Sequence, residues 1–316
     1  MPLWRATDRV RDPFLQMVGA PLLDRRKFIG VALAAPALFA WVGTAKAATP
    51  QRIVSMDLLL TELLLTLGIQ PIAIANIPLY RRLVAEPALS DKVADLGPLN
   101  EPNLEFLQIL KPDLLLMADW QTAGLDNLNR ITEVLPFAVF PKNIPAVIFV
   151  QSVLRQLAKL LSRQTEAESA IAACEQAIAN ARGTLSGLRR PVYVCRFTRD
   201  GRNAAVFGGN GMISDTLARL GLRNAFGGRV NGSGVASVSL RRLADVPDAI
   251  IIHFDRGIET DRALERLAES PLWNAFSAVR GGRVLRMPVI YPNGGVRSIE
   301  RLATQLENGL AQVKDV

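Results

Sequence analysis

Glu101-Pro-Asn-Leu-Glu-Phe-Leu-Gln-Ile-Leu-Lys-Pro-Asp-Leu-Leu-Leu-Met117 decides the fold. Asn103 stands where a helix N-cap belongs, and Glu105 falls in the first turn, where the helix dipole favours an anion. Leu104, Leu107, Ile109 and Leu110 form an apolar stripe at helical spacing. Lys111-Pro112 ends the helix, because the residue before a proline is pushed out of the α region. Leu114 to Met117 is then an unbroken apolar run, as expected of a parallel strand covered on both faces. The phrase returns as Ser239-Leu-Arg-Arg-Leu-Ala-Asp-Val-Pro-Asp-Ala-Ile-Ile-Ile252. Two copies of a helix, Pro-Asp, strand unit predict two α/β lobes of similar design.

Around the first copy, strand and helix alternate. Arg52–Met56 and Ile72–Ala75 read as strands, Leu58–Leu67 as a helix capped by Gly68, and Asn76–Arg82 as a loop. Leu125–Leu135 reads as helix and Phe137–Phe140 as a short strand. Short connections in β/α order predict a parallel sheet. Thr165 to about Leu185 is rich in Ala and Gln and holds no Gly or Pro before Gly183, which predicts one long rigid helix. The domains are therefore expected to be an N-terminal lobe at 48–164, a linker helix at 165–188 and a C-terminal lobe at 189–316. In the second lobe Pro191–Phe197 and Arg283–Met287 read as strands, Gly208–Gly211 as a tight turn and Gly227–Gly234 as a flexible loop.

The chain has 316 residues, 49% hydrophobic and 21% charged, the balance of an ordinary globular protein with room for two domains. Its formal charge is +8, but residues 1–47 hold seven Lys/Arg and three Asp/Glu, leaving 30 against 26 on the rest. That mild excess, without a basic run interleaved with aromatics, argues against nucleic acid. Asp24-Arg-Arg-Lys-Phe-Ile29 carries the paired arginines of a twin-arginine export signal. The apolar stretch from Phe28 to Val42 is short for a membrane span and interrupted by Pro36. Ala45-Lys46-Ala47 supplies a small-x-small cleavage site. Residues 1–47 are thus expected to be a signal peptide cleaved near Ala47/Ala48, and the remainder a soluble periplasmic protein. Cys174 and Cys195 are the only cysteines; two buried thiols is the simpler expectation, a disulfide the alternative.

Catalytic chemistry finds little support. His253 is the only histidine, and no Gly-x-Ser-x-Gly elbow accompanies it. One imidazole and two thiols do not assemble the usual transition-metal site. Gly208-Gly-Asn-Gly211 is neither a phosphate loop nor a dinucleotide fingerprint. What remains is a cleft, since ligands of open α/β sheets bind at loops beyond the carboxyl ends of the strands. Tyr80, Arg81, Arg82, Trp120, Gln121, Asn210, Asn231, Ser233, Tyr291, Asn293 and Arg297 stand on such loops. Aromatics, amides and arginines suit a bulky, oxygen-rich ligand.

Arg52-Ile-Val, Thr61-Glu-Leu-Leu-Leu-Thr-Leu-Gly68, Glu101-Pro-Asn-Leu-Glu105, Lys111-Pro-Asp113, Val206-Phe-Gly208, Ser270-Pro-Leu-Trp273 and Gly281-Gly-Arg-Val284 together resemble the periplasmic ferric hydroxamate-binding proteins of ABC importers. The likeness runs in order from about residue 50 to the C-terminus. It implies two Rossmann-like lobes joined by one long helix, with a ferric siderophore held in a shallow cleft. It implies further that the siderophore alone coordinates the iron, that no cofactor is needed, and that a monomer delivers the complex to a permease driven by a cytoplasmic ATPase. A cobalamin or haem carrier of the same fold is the nearest alternative, and a periplasmic siderophore-processing hydrolase a distant one.

The pocket departs from the family pattern. The family's arginine toward the iron-ligating oxygens falls on Leu99, its tyrosine on Gln121, and its tryptophans on Leu83, Ser233 and Tyr291. Arg81, Arg82 or Arg297 is expected to replace the missing cation and to favour a more anionic, citrate-based hydroxamate. The family docks on its permease through one acidic residue per lobe. Glu105 matches the first; the second position is Arg241, of the wrong sign, so Asp245 or Asp215 is expected to substitute.

Overall fold

The computed structural model describes residues 50–124, 126–140 and 144–313; the signal-peptide expectation for 1–47 lies outside them. The first sheet contains β1 (Ile53–Ser55), β2 (Ala73–Ile74), β3 (Ala94–Asp95), β4 (Leu114–Ala118) and β5 (Val134–Phe137). Their order is β3-β2-β1-β4-β5, every pair parallel. Helices α1 (Leu58–Thr66), α2 (Ile77–Leu83) and α3 (Leu104–Leu110) alternate with the strands. The opening stretch forms as the sequence dictates: Asn103 Oδ1 accepts from the Phe106 N–H at 2.9 Å, and β4 is buried at every residue.

Two long helices follow, α4 (Ala146–Leu161) and α5 (Gln164–Thr184), broken at Ser162 in the left-handed region. The second lobe holds β6 (Val192–Phe197), β7 (Asn203–Phe207), α6 (Met212–Arg219), β8 (Val235–Ser239), β9 (Ile250–Asp255) and α7 (Ile258–Ala268). The short α8 (Pro271–Asn274) and α9 (Ser277–Arg280) lead to β10 (Val284–Pro288) and the closing α10 (Val296–Leu310). The strand order is β10-β9-β6-β7-β8.

The second sheet is mixed rather than parallel throughout, because β7 pairs antiparallel with both β6 and β8. Only five residues separate β6 from β7, too few for the crossover that parallel strands require. Three further expectations change. Asn76–Arg82 is helix α2, not loop: Asn76 takes up φ 62° and its side chain caps Leu79 N–H, with Pro78 in the first turn. The expected helix at 125–135 is replaced, in its described residues, by a 3-10 turn at Asp126–Arg130 and by β5, whose edge position tolerates Pro136. The second copy of the organising unit keeps its Pro-Asp and strand, but Ser239 ends β8 without capping anything and Leu240–Asp245 is only a 3-10 helix.

One apolar cluster joins the lobes. It runs from Ile53, Leu60 and Leu64 through Val150, Leu154, Ala170, Cys174 and Ile178 to Leu217, Ile252, Phe254, Ile299 and Leu306. α5 faces it with small and branched residues at helical spacing, and α10 packs along α5. The long helix is therefore a wall of shared core rather than an exposed rod. Cys174 and Cys195 are free, buried and in different clusters. The turn at Gly208–Gly211 is explained by close approach: a Cβ on Gly211 would sit 2.7 Å from Gly234 Cα.

Candidate functional site: the interlobe cleft

The candidate site starts where β1 and β4 end. Gln121 Oε1 accepts from Ala118 N–H at 2.8 Å, while its Nε2 donates to the carbonyls of Met56 and Leu99, both at 3.0 Å. Three chain segments are stapled together by one buried amide. Gln121 is consequently a positioning residue with no spare polar atom, which corrects its expected role as a ligand contact. Leu99 and Tyr291, from opposite lobes, pack beside each other's neighbours on the apolar cluster under α2. Asp57 caps α1 through Leu59 and Leu60 N–H, and burial, aided by Asp119, pushes its carboxyl up to about 6. Its sequence signal is an Asp directly before the apolar run at Leu58.

From the second lobe, Asn293 Nδ2 donates to Ser233 Oγ at 3.3 Å. Tyr291 is half-buried, and its phenol is raised above the usual range by burial and by the charge of Asp57. Trp120 is 45% exposed just past β4, which leaves a flat apolar face free to stack on a ligand.

Arginines from both lobes meet at one carboxylate. Arg82 on α2 reaches Glu259 on α7 at 3.7 Å, an ion pair between the lobes, and Arg256 holds the same carboxylate at 2.5 Å. Arg196, near the end of β6, lies over the Phe207 ring at 5.9 Å. Burial and then the charge of Arg256 push its pKa below the usual arginine value, while Glu259 and Tyr291 act the other way. Arg196 and Arg256 escaped the sequence reading because a single arginine in a strand, or after one, has no periodic signature.

The remaining candidates do not join this group. Tyr80 is wholly buried in the apolar cluster beneath α2, its hydroxyl donating to the Pro87 carbonyl at 2.8 Å, so it is core and not a ligand contact. Burial of the phenol follows from its helix: α2 turns that face inward. Arg81 pairs with Asp91 on the surface at 3.1 Å. Arg297 pairs with Glu300 at 2.7 Å and lines a groove of about 430 Å³ with Glu86, Pro87 and Arg301. Arg81 and Arg297 thus lie apart from Arg82, each with its own carboxylate partner. Asn210 and Asn231 line a separate rim groove of about 390 Å³, where Asn231 Oδ1 closes a turn by accepting from Ser233 and Val235 N–H.

Among the acids, Glu105 is exposed on α3, one turn from Ile109, which is 73% exposed. Asp245 is partly exposed and paired with Arg242. Asp215 is committed elsewhere: Oδ2 accepts from Val147 N–H at 2.8 Å, capping α4, and faces Arg219 at 3.6 Å. Asp215 is therefore already engaged as a helix cap. No group of three or more His, Cys, Asp or Glu able to hold a metal occurs among the described residues.

A model of the periplasmic binding protein family matches residues 53–291. The chain belongs to that family. It is 33% identical over 304 residues to the iron(3+)-hydroxamate-binding protein FhuD of Escherichia coli K12, covering 93% of this chain and 99% of that protein. The Fe(3+)-citrate-binding protein YfmC of Bacillus subtilis 168 is 23% identical over 250 residues, covering 76% and 74%. The structure of FhuD from Vibrio cholerae bound to Fe3+-Desferal superposes with a TM-score of 0.74 at 27% identity, over 83% of this chain and 98% of that one. Periplasmic binding proteins are substrate carriers rather than enzymes. His253 is buried, which holds its pKa down to about 4, and its ring packs on Phe197 at 5.1 Å.

Proposed function

We propose that this chain captures a ferric siderophore, of hydroxamate or citrate–hydroxamate type, in the cleft over Leu99, Trp120 and Tyr291. It then delivers the complex, as a monomer, to an inner-membrane ABC permease powered by a cytoplasmic ATPase. The observation that carries this is the likeness to the Escherichia coli hydroxamate binder over 99% of that protein's length. The shared core running through α4 and α5 supports a carrier that moves little on loading, since packed interiors resist deformation. The siderophore supplies the ligands to iron, and the protein supplies shape, aromatic contact and charge.

The same proposal has the chain exported through a twin-arginine signal in residues 1–47 and working in the periplasm. The lobe boundaries at 164 and 189 belong to it as well, as does docking through Glu105 in the first lobe and Asp245 in the second. Titrating a panel of ferric siderophores against intrinsic tryptophan fluorescence tests the ligand class. Saturable quenching by at least one hydroxamate complex is expected; quenching by haem or cobalamin alone would replace the reading.

A further inference from the structure

Arg196 is a half-buried guanidinium with no carboxylate of its own among the described residues. On β6, Tyr193, Cys195 and Phe197 face the cluster that also holds Trp273, whereas Val192 and Val194 face the cluster shared by the lobes. Arg196 shares the second face by strand alternation. On the neighbouring parallel strand, Phe254 has that orientation too, and Arg256 lies two residues on. The register thus places both guanidiniums at the carboxyl ends of adjacent strands, where ligands of α/β lobes bind.

The charges there do not balance. Arg82 and Arg256 share one carboxylate, Glu259, and Arg196 lies within reach of its charge without pairing with it. No ion pair within 4.0 Å reaches Arg196 among the described residues; its contact is the face of Phe207. Arg256 Nε is buried and lacks an acceptor. Withdrawing an arginine from water without an anion is costly, and a fork of N–H donors matches a planar carboxylate.

We propose that Arg196 and Arg256 form a carboxylate subsite, so that the chain selects ferric siderophores bearing a free carboxylate over those without one. The proposal rests on the siderophore-binding function and deepens it. Arg196 would give both ends of its fork to the carboxylate and Arg256 its positive charge beside it, while Glu259 stays with Arg82 and Arg256. An anion in that position converts the local surplus of positive charge into charge-assisted hydrogen bonds.

The test compares two probes, ferric desferrioxamine, which has no carboxylate, and the ferric complex of a citrate-centred dihydroxamate, which has free ones. The full mature chain and its Arg196→Gln, Arg196→Lys and Arg256→Gln variants are titrated with each. Arg196→Gln is expected to weaken the carboxylate complex about 10- to 100-fold, the equivalent of one or two charge-assisted hydrogen bonds. Arg196→Lys, a point charge without the fork, should recover part of that. Desferrioxamine affinity should stay within about twofold, and this also shows that the variants are folded. Equal losses for both probes would make Arg196 a scaffold residue and overturn the subsite, as would no loss for either. A wild-type chain that binds neither probe removes the siderophore function, and the subsite with it.

Discussion

The carboxylate of Glu62, in the first lobe, accepts hydrogen bonds from both the N–H and the hydroxyl of Ser298, 236 residues away in the second, each at 2.8 Å. It takes a third from Gly295 N–H at 2.8 Å. Glu62 is 0% exposed and seals the N-terminus of α10, where orphan amides and the helix dipole favour an anion. Burial raises its pKa; the donors and Arg301 oppose that. The approach depends on a missing side chain, because a Cβ on Gly295 would come within 2.9 Å of Glu62 Oε1. α1 and α10 are thus tied by one buried side chain.

Glu62→Ala leaves those three donors buried without an acceptor. A loss of about 3 kcal/mol or more is expected, read as a lower midpoint in urea denaturation. Glu62→Gln, which keeps an acceptor oxygen, should lose clearly less. Equal midpoints for wild type and Glu62→Ala would show that the tie contributes nothing.

Asp57 gives a pH dependence of definite sign. Its folded carboxyl titrates at about 6 against 3.8 in the unfolded chain, so the fold binds a proton more readily between those values. Stability from this group therefore rises as pH falls through the window from 6 to 4, and the charged form at neutral pH costs roughly 3 kcal/mol. Asp57→Asn keeps an acceptor for the α1 cap and removes the charge. It should melt above wild type at pH 7.5, with the difference shrinking towards pH 4. A difference that does not change with pH would contradict the raised carboxyl.

Tyr80 and Trp120 separate core from cleft. Tyr80→Phe removes only the hydroxyl bonded to the Pro87 carbonyl. It should cost about 1 kcal/mol of stability and leave siderophore affinity unchanged. Trp120→Ala should do the reverse, because that ring is 45% exposed at the cleft and carries little of the core. Chemical denaturation and fluorescence titration on both variants read the two effects, the second with an iron-absorbance readout since one tryptophan is gone.

Periodicity made the scaffold legible. The unit at 101–117, the apolar strands and the long helix all follow from spacing that one segment carries by itself. The hairpin between β6 and β7 was hidden because an alternating strand looks alike in either pairing sense. α2 was hidden because its Asn76 cap and Pro78 also suit a turn. The cleft was legible only in part, since its function depends on who spends a hydrogen bond where. Gln121 and Asn231 look like free amides in sequence, and three-dimensional proximity consumes them on backbone groups. Arg196 and Arg256 look incidental until the parallel register of β6 and β9 brings both to the carboxyl ends of adjacent strands.

Two acids test the proposed docking surface. Glu105 sits in the first turn of α3 with its side chain exposed and no partner carboxylate-to-cation contact within 4.0 Å among the described residues, beside the exposed Ile109. Asp215 instead caps α4 through Val147 N–H and meets Arg219. Glu105→Ala should therefore bind ligand as wild type does yet lose siderophore-dependent growth or iron uptake. Asp215→Ala should lose about 1 kcal/mol of stability, the usual worth of a helix cap, and transport normally once protein amounts are matched. Binding titration, denaturation and radiolabelled-iron uptake on the same pair of variants separate the outcomes. Full uptake with Glu105→Ala would leave the α3 face without a docking role, and a transport defect in Asp215→Ala at equal abundance would restore that acid to the permease contact.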